Sequence, residues 1–362
     1  MKASPQNFLV CAEFLGAKLS REAIWDGTRC NWFGHQVTEL GSCVPVVAHR
    51  MCGSDYYSGT SGIAVFLGHL YGSTGEKIFR ITAEGAIRQA LSRLDHIPRA
   101  QRLDFASGLL GIAHALLEVA RTCDIEKFNA LALLILEEVS GDEINSNGPV
   151  VIPSSIRALL KINRDNPKDF LLQTALKLGE HLLTVGEDPT GEPSRLLAML
   201  ELYQATREEK FQQPAVIQMK NFASEIDSNP TEVPAAVGMA LLRGFEITGD
   251  DFYLDETKRV LHSITQDLPR ALSETELNFS PARGLTGQAD LLVEAARILR
   301  DQEYRLSADL IGAFGIDRYK KDDLPWPCGT ADGEIPGLMT GLAGIGYVYL
   351  RLWDSTKVPS LL

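Results

Sequence analysis

A turn built of small residues, followed by an apolar stretch with helical periodicity, returns along almost the whole chain. It is clearest as Ser58-Gly59-Thr60-Ser61-Gly62-Ile63-Ala64, as Ser107-Gly108-Leu109-Leu110-Gly111-Ile112-Ala113 and as Thr340-Gly341-Leu342-Ala343-Gly344-Ile345-Gly346. Weaker copies stand at Arg283-Gly284-Leu285-Thr286-Gly287, Pro234-Ala235-Ala236-Val237-Gly238 and Thr190-Gly191-Glu192-Pro193-Ser194, with the faintest at Pro153-Ser154-Ser155-Ile156. The seven copies recur roughly every 40 to 57 residues, a period of repeat architectures. Between them, polar stretches open a second helix: Ser73 to Phe79, Thr206 to Phe211 and Thr248 to Tyr253. Ser or Thr with acidic residues just behind reads as an N-terminal cap. Each repeat is therefore a hairpin of one largely buried and one half-exposed helix.

Hairpins that each leave an apolar face open need neighbours on both sides, and stack as a solenoid or close into a ring. Small residues at the helix ends let those ends crowd around an axis, which favours closure. The expected fold is all-α, an α/α toroid of about seven hairpins in a single domain over 1–362. A lead-in of irregular or hairpin structure occupies 1–54 and the ring 55–362. The best strand candidate is Gln36 to Ala48, within the lead-in.

Composition narrows the function. Hydrophobic residues form 45% of the 362 and charged residues 23%, enough to build a core, and the net charge is −12. That charge speaks against nucleic acid and against anionic membrane surfaces, both of which need clustered cations. Glu13 and Lys18 interrupt the apolar stretch after residue 8 too early for a signal peptide. Six cysteines without tight spacing fit a cytoplasmic protein rather than a disulfide framework.

The final turn, Pro336 to Tyr347, and the Ser-Gly-x-x-Gly-Ile-Ala turns at 58–64 and 107–113 resemble those of the lanthionine synthetase C-like family. Arg29-Cys30-Asn31-Trp32-Phe33-Gly34 resembles a segment ahead of the ring in some members. The likeness is strong at both ends and poor between residues 145 and 290. It implies an α/α toroid of seven hairpins and a role in modifying ribosomal peptides.

The resemblance also implies three zinc ligands, a Cys in the fifth turn and a Cys-His pair in the sixth. Here Thr231 or a neighbour stands at the first place, and Ala282-Arg283-Gly284 replaces the second. Residues 124 to 327 hold no Cys at all. The His of the fourth turn is replaced by Thr190, and the Asp of the third by Gly148-Pro149-Val150-Val151. No metal and no cofactor are therefore expected, the alternative being a relocated site from Cys30, His35, His49, Cys52 and Cys328.

Catalytic candidates are Asp55, Asp104 and Arg283, with capping the favoured reading of the Asp pair. Peptide-binding candidates are Tyr56, Tyr57, Phe105, Thr190, Thr231, Glu232, Arg283, Trp326 and Met339, with packing the alternative for the aromatics. Two functions fit. One is a zinc-independent cyclase that adds Cys thiols to dehydrated Ser or Thr; the other is an inactive pseudo-cyclase that binds a peptide or a partner modification enzyme. A remote third is a carbohydrate-active toroid using Glu187, Asp188 and Glu192 as acids.

Overall fold

The computed structural model describes residues 4–39, 45–141, 151–184, 193–226, 235–274, 277–328 and 333–361. After α1 (Pro5–Glu22) come two small antiparallel hairpins, β1 (Ile24–Asp26) with β2 (Arg29–Asn31), and β3 (Phe33–Glu39) with β4 (Pro45–Met51). The strand expected at 36–48 thus belongs to a two-stranded hairpin, paired in register from Phe33↔Met51 to Glu39↔Pro45. Thirteen further helices follow among the described residues: α2 (Thr60–Thr74), α3 (Lys77–Leu91), α4 (Leu109–Cys123), α5 (Glu126–Ser140), α6 (Val151–Asp165), α7 (Asp169–Thr184), α8 (Pro193–Thr206), α9 (Glu209–Ile226), α10 (Ala235–Thr248), α11 (Asp251–Ala271), α12 (Leu285–Leu299), α13 (Gln302–Gly315) and α14 (Leu342–Trp353).

The even-numbered helices are the ones that follow the seven small-residue turns. Each packs on the next, α2 on α4, α4 on α6 and onward to α12 on α14, and α14 packs back on α2. This closes an α/α toroid. Inner helices such as α2 and α4 are buried all round, as Thr60–Leu70 and Leu109–Ala120 show. The odd-numbered helices carry an apolar stripe only, as in α3, where Phe79, Thr82, Ala83, Ala86, Ile87 and Ala90 are buried.

Helix α1 has no turn of its own, yet it packs along α14 and completes the seventh hairpin. The outer layer therefore draws on sequence ahead of residue 55. Its Phe8, Leu15 and Leu19 are fully buried, and the Trp32 indole donates to the Leu19 carbonyl at 2.8 Å. The chain's two ends thus meet within one hairpin.

The Thr residues expected to cap the outer helices instead end the inner ones. Thr74, Thr206 and Thr248 each donate to the carbonyl four residues back at 2.7–2.8 Å and accept the amide two residues on at 3.2–3.3 Å. Capping of α11 falls to Asp250, which accepts from Phe252 N at 2.9 Å.

The Gly-x-x-Gly turns have a steric cause. A Cβ on Gly62 would lie 2.1 Å from the Tyr56 carbonyl oxygen, and one on Gly344 would lie 1.6 Å from that of Leu338. In both, the helix start folds directly over the turn that precedes it, and only hydrogen fits there.

Candidate functional site

The turns are joined to one another by a belt of backbone hydrogen bonds along one rim of the ring. Ala282 N donates to Met339 O at 3.0 Å, Met339 N to Tyr57 O at 2.8 Å, and Tyr57 N to Ala106 O at 3.1 Å. Each of these residues stands two places before the glycine that opens its inner helix, so equivalent positions of the sixth, seventh, first and second repeats are tied in succession. Tyr56 N shares the Ala106 carbonyl at 3.1 Å.

The belt brings most of the expected residues together. Asp55, Tyr56, Tyr57, Asp104, Phe105, Arg283 and Met339 all lie on or beside it. Both carboxylates act as caps. Asp55 Oδ1 accepts from Ser58 N at 2.6 Å, Gly59 N at 3.0 Å and Ser58 Oγ at 3.1 Å. Asp104 Oδ1 accepts from Ala106 N at 2.8 Å, and its other oxygen from the Ser107 hydroxyl.

Tyr56 points inward and is buried, its ring tilted against Phe105 at 4.7 Å and His114 at 5.5 Å between centroids. It offers no face to a ligand. Tyr57 is 39% exposed; burial pushes its hydroxyl above the usual value, and the Arg283 guanidinium nearby works against that shift. Arg283 itself is exposed.

Trp326 is not on the rim surface. It is 1% exposed and sits among Phe279, Tyr319 and Tyr349 at 5.1–5.7 Å, a core anchor rather than a platform for a peptide. Thr190, Thr231 and Glu232 lie outside the described residues, as do Glu187, Asp188, Glu192 and the third-turn segment at 148–150.

The described residues do not fit a zinc ion. Among the described residues no group of three or more His, Cys, Asp or Glu converges to hold a metal. Cys30 donates to the Thr82 carbonyl and Cys328 to the Trp326 carbonyl, each at 3.4 Å, so these thiols lie in separate places and are engaged as donors. Burial pushes Cys30 and Cys52 up to about 12 and Cys328 up to about 11. The side chains of His35 and His49 lie outside the described residues. At the sixth turn the exposed Arg283 guanidinium stays charged and cannot act as a ligand.

Three adjoining cavities open on the rim and share Gly53. One of about 420 Å³ is lined by Ser54, Asp55, Tyr57, Ser58, Ala106 and Ser107. The next, of about 330 Å³, reaches Asn31, Met51, Gln89, Arg93 and His96. A narrow one of about 40 Å³ touches Arg50, Cys52, Ile335, Pro336 and Thr340.

Beneath the rim the interior is polar, which the sequence reading missed. His69 and Glu118 are 2.9 Å apart, and Arg121 reaches the same carboxylate at 2.7 Å. Burial opposes charge on Glu118, but the His69 hydrogen bond and nearby cations hold its carboxyl well below the usual range. Burial pushes His69 down, and pushes His114 down to about 3. The His69 ring meets Tyr347 edge-on at 5.1 Å.

Further along α14, the fully buried Arg351 pairs with Asp290 at 2.7 Å and Glu294 at 2.6 Å. Ser360 Oγ and Leu361 N also donate to Asp290, at 2.9 and 3.1 Å. His114 and Glu118, Asp290 and Glu294, and Tyr347 and Arg351 occupy the same two positions of α4, α12 and α14, five and nine residues after the first. That recurrence of polar residues in apolar helices was the available signal.

The model of the family described as lanthionine synthetase C-like protein matches residues 50–195 and 234–362. No curated protein sequence matches the chain. Among solved structures, a polysaccharide lyase aligns over 99% of both chains at 9% identity and a TM-score of 0.48. An inactive variant of an α-1,6-mannanase of Salegentibacter sp., in complex with α-1,6-mannotetrose, aligns over 97% of this chain and 99% of its own, at 13% identity and 0.47. A sugar epimerase from a ruminal bacterium aligns over 97% and 98%, at 12% and 0.40. All three scores are below 0.5, and the sugar chemistry of those proteins is not carried to this chain.

Proposed function

Since the chain belongs to the lanthionine synthetase C-like family, we propose that it serves peptide modification by holding a peptide on the belted rim, without performing the chemical step. The observation that carries this reading is the state of the rim. Its cavities and exposed Tyr57 are intact, while the carboxylates there, Asp55 and Asp104, are engaged in capping the turns. A general base must be placed to take a proton from the thiol it activates, whereas both carboxylates are oriented toward the turns they cap. The partner is then the peptide itself, or a modification enzyme that presents it.

A peptide containing one dehydroalanine and one cysteine tests this. Incubated with the protein, it should be retained, as read by fluorescence anisotropy, with its free-thiol titre unchanged. Thiol consumption that scales with protein concentration would refute the binding role and establish the zinc-independent cyclase. Orientation alone would then have to supply several kcal/mol of rate enhancement.

A further inference from the structure

The charge distribution around the three cavities specifies the peptide, and this step rests on the peptide-holding role above. We propose that the rim selects an extended acidic peptide segment, bearing Asp or Glu side chains, along the groove that passes Gly53.

The chain carries a net charge of −12, yet the groove is cationic. Arg93 and His96 line the wider cavity and Arg50 the narrow one. All three are exposed, and Arg283 stands beside Tyr57 at the neighbouring end. Of the residues lining the three cavities, Asp55 is the sole carboxylate, and its Oδ1 is held by three turn donors.

Several cations elsewhere on the chain are neutralised locally. Arg88 is paired with Glu84, Arg121 with Glu118, Arg270 with Asp267 and Arg297 with Glu246. Among the described residues no carboxylate lies within ion-pair distance of Arg50, Arg93, His96 or Arg283. Three guanidiniums, Arg50, Arg93 and Arg283, without an ion-pair partner among the described residues and on one face of an acidic protein, form a local positive field, which draws and orients anions.

The remaining lining fits a polypeptide. Ser54, Ser58, Gln89, Ser107 and Thr340 offer hydrogen-bonding groups for main-chain amides. Met51 and Tyr57, 42% and 39% exposed, supply apolar surface between the charges. A nucleic acid would require a continuous cationic track matched to its phosphate spacing, and the narrow passage of about 40 Å³ lined by Gly53 and Pro336 breaks such a track.

The test uses three fluorescein-labelled twelve-residue peptides of alternating Leu, Ser and a variable residue, which is Glu, Gln or Lys. Binding is followed by anisotropy with the full chain, with the double variant Arg50→Gln/Arg93→Gln, and with Arg270→Gln as a remote control. Rim ion pairs contribute about two- to fourfold each in affinity, so several together give about tenfold. The expected result is that the Glu peptide binds about tenfold tighter than the Gln peptide and the Lys peptide weakest. The preference should shrink in high salt, disappear in the double variant and persist in Arg270→Gln. Equal binding of Glu and Gln peptides, or a preference that survives the double substitution, overturns the charge selection while leaving peptide holding in place. Failure of all three peptides to bind overturns both. The substituted side chains are exposed, and an unchanged thermal transition confirms that the variants fold.

Discussion

Replacing Arg351 by leucine removes the cation from a cluster that water does not reach. Arg351 and Asp290 are both fully buried and Glu294 nearly so, and Arg351 holds both carboxylates within 2.7 Å. Once it is gone, two carboxylates remain inside the ring with too few partners. Leaving a buried charge uncompensated costs about 3–5 kcal/mol. For a chain of 362 residues, an unfolding entropy of about 2.1 cal/mol/K per residue makes that a fall of roughly 4–7 °C in Tm. The loss should depend on pH in a defined direction. In the native protein burial opposes charge on Glu294, but Arg351 and Arg297 hold its carboxyl below the ordinary value. Its stabilising contribution is therefore present at neutral pH and is lost as pH falls through the lowered value. Without Arg351 both carboxyls shift upward and protonate closer to neutrality, which relieves the repulsion. The gap between native and variant, measured by urea unfolding, should therefore narrow from pH 7 to pH 5. Adding Asp290→Asn and Glu294→Gln to Arg351→Leu should recover at least half of the loss at pH 7. A single-variant loss below about 1 kcal/mol, or a gap that does not change with pH, would refute the reasoning.

His114 is buried and held neutral, with its value pushed down to about 3 by burial. A group whose value is lowered on folding loses its stabilising contribution as pH falls below its unfolded value of about 6.5, so His114→Phe should lessen the loss between pH 7 and 5 by about 2 kcal/mol in urea titrations. Gly344→Ala should destabilise by about 3 kcal/mol or more, since its Cβ would overlap the Leu338 carbonyl. Gly72→Ala should instead stabilise by about 0.5–1 kcal/mol, because the nearest atoms lie at 3.6 Å and more and the position is helical; equal effects of the two in thermal melts would refute the steric account. Asp55→Ala should cost about 1 kcal/mol by chemical denaturation, as loss of a cap does, and leave peptide retention within threefold. A larger loss of retention with unchanged stability would return Asp55 to the binding or catalytic machinery.

Much of the fold was legible because its cause is local. Gly62, Gly111 and Gly344 recur where a helix start crosses a carbonyl at under van der Waals distance, and the apolar residues behind them read as buried helices without any tertiary knowledge. All seven inner helices begin at or within a few residues of the turns read from the sequence. The outer layer was less plain, since Thr74, Thr206 and Thr248 carry a capping composition but close the helix before them. At the site, the turn residues Asp55, Tyr57, Arg283 and Met339 lie on or beside the belt at positions the repeats mark. Trp326, for which packing stood beside peptide contact, is buried; an irregular stretch before a helix reads alike whether it folds inward or outward.

The sequence alone determined the repeat, its helical hairpins and the family to which the chain belongs, because periodicity and close-approach glycines act over a few residues. It also determined that residues 124 to 327 can bring no cysteine to any site, since they contain none. Only the tertiary structure decided that the ring closes through α14 on α2 and that α1 completes the last hairpin. It alone decided that His69 meets Glu118 and Asp290 meets Arg351 inside, and that Arg93 and Arg50 line adjoining cavities. These are encounters between residues tens to hundreds of positions apart. Their free energy comes from burial and charge pairing across repeats, and no local pattern encodes which repeat will face which.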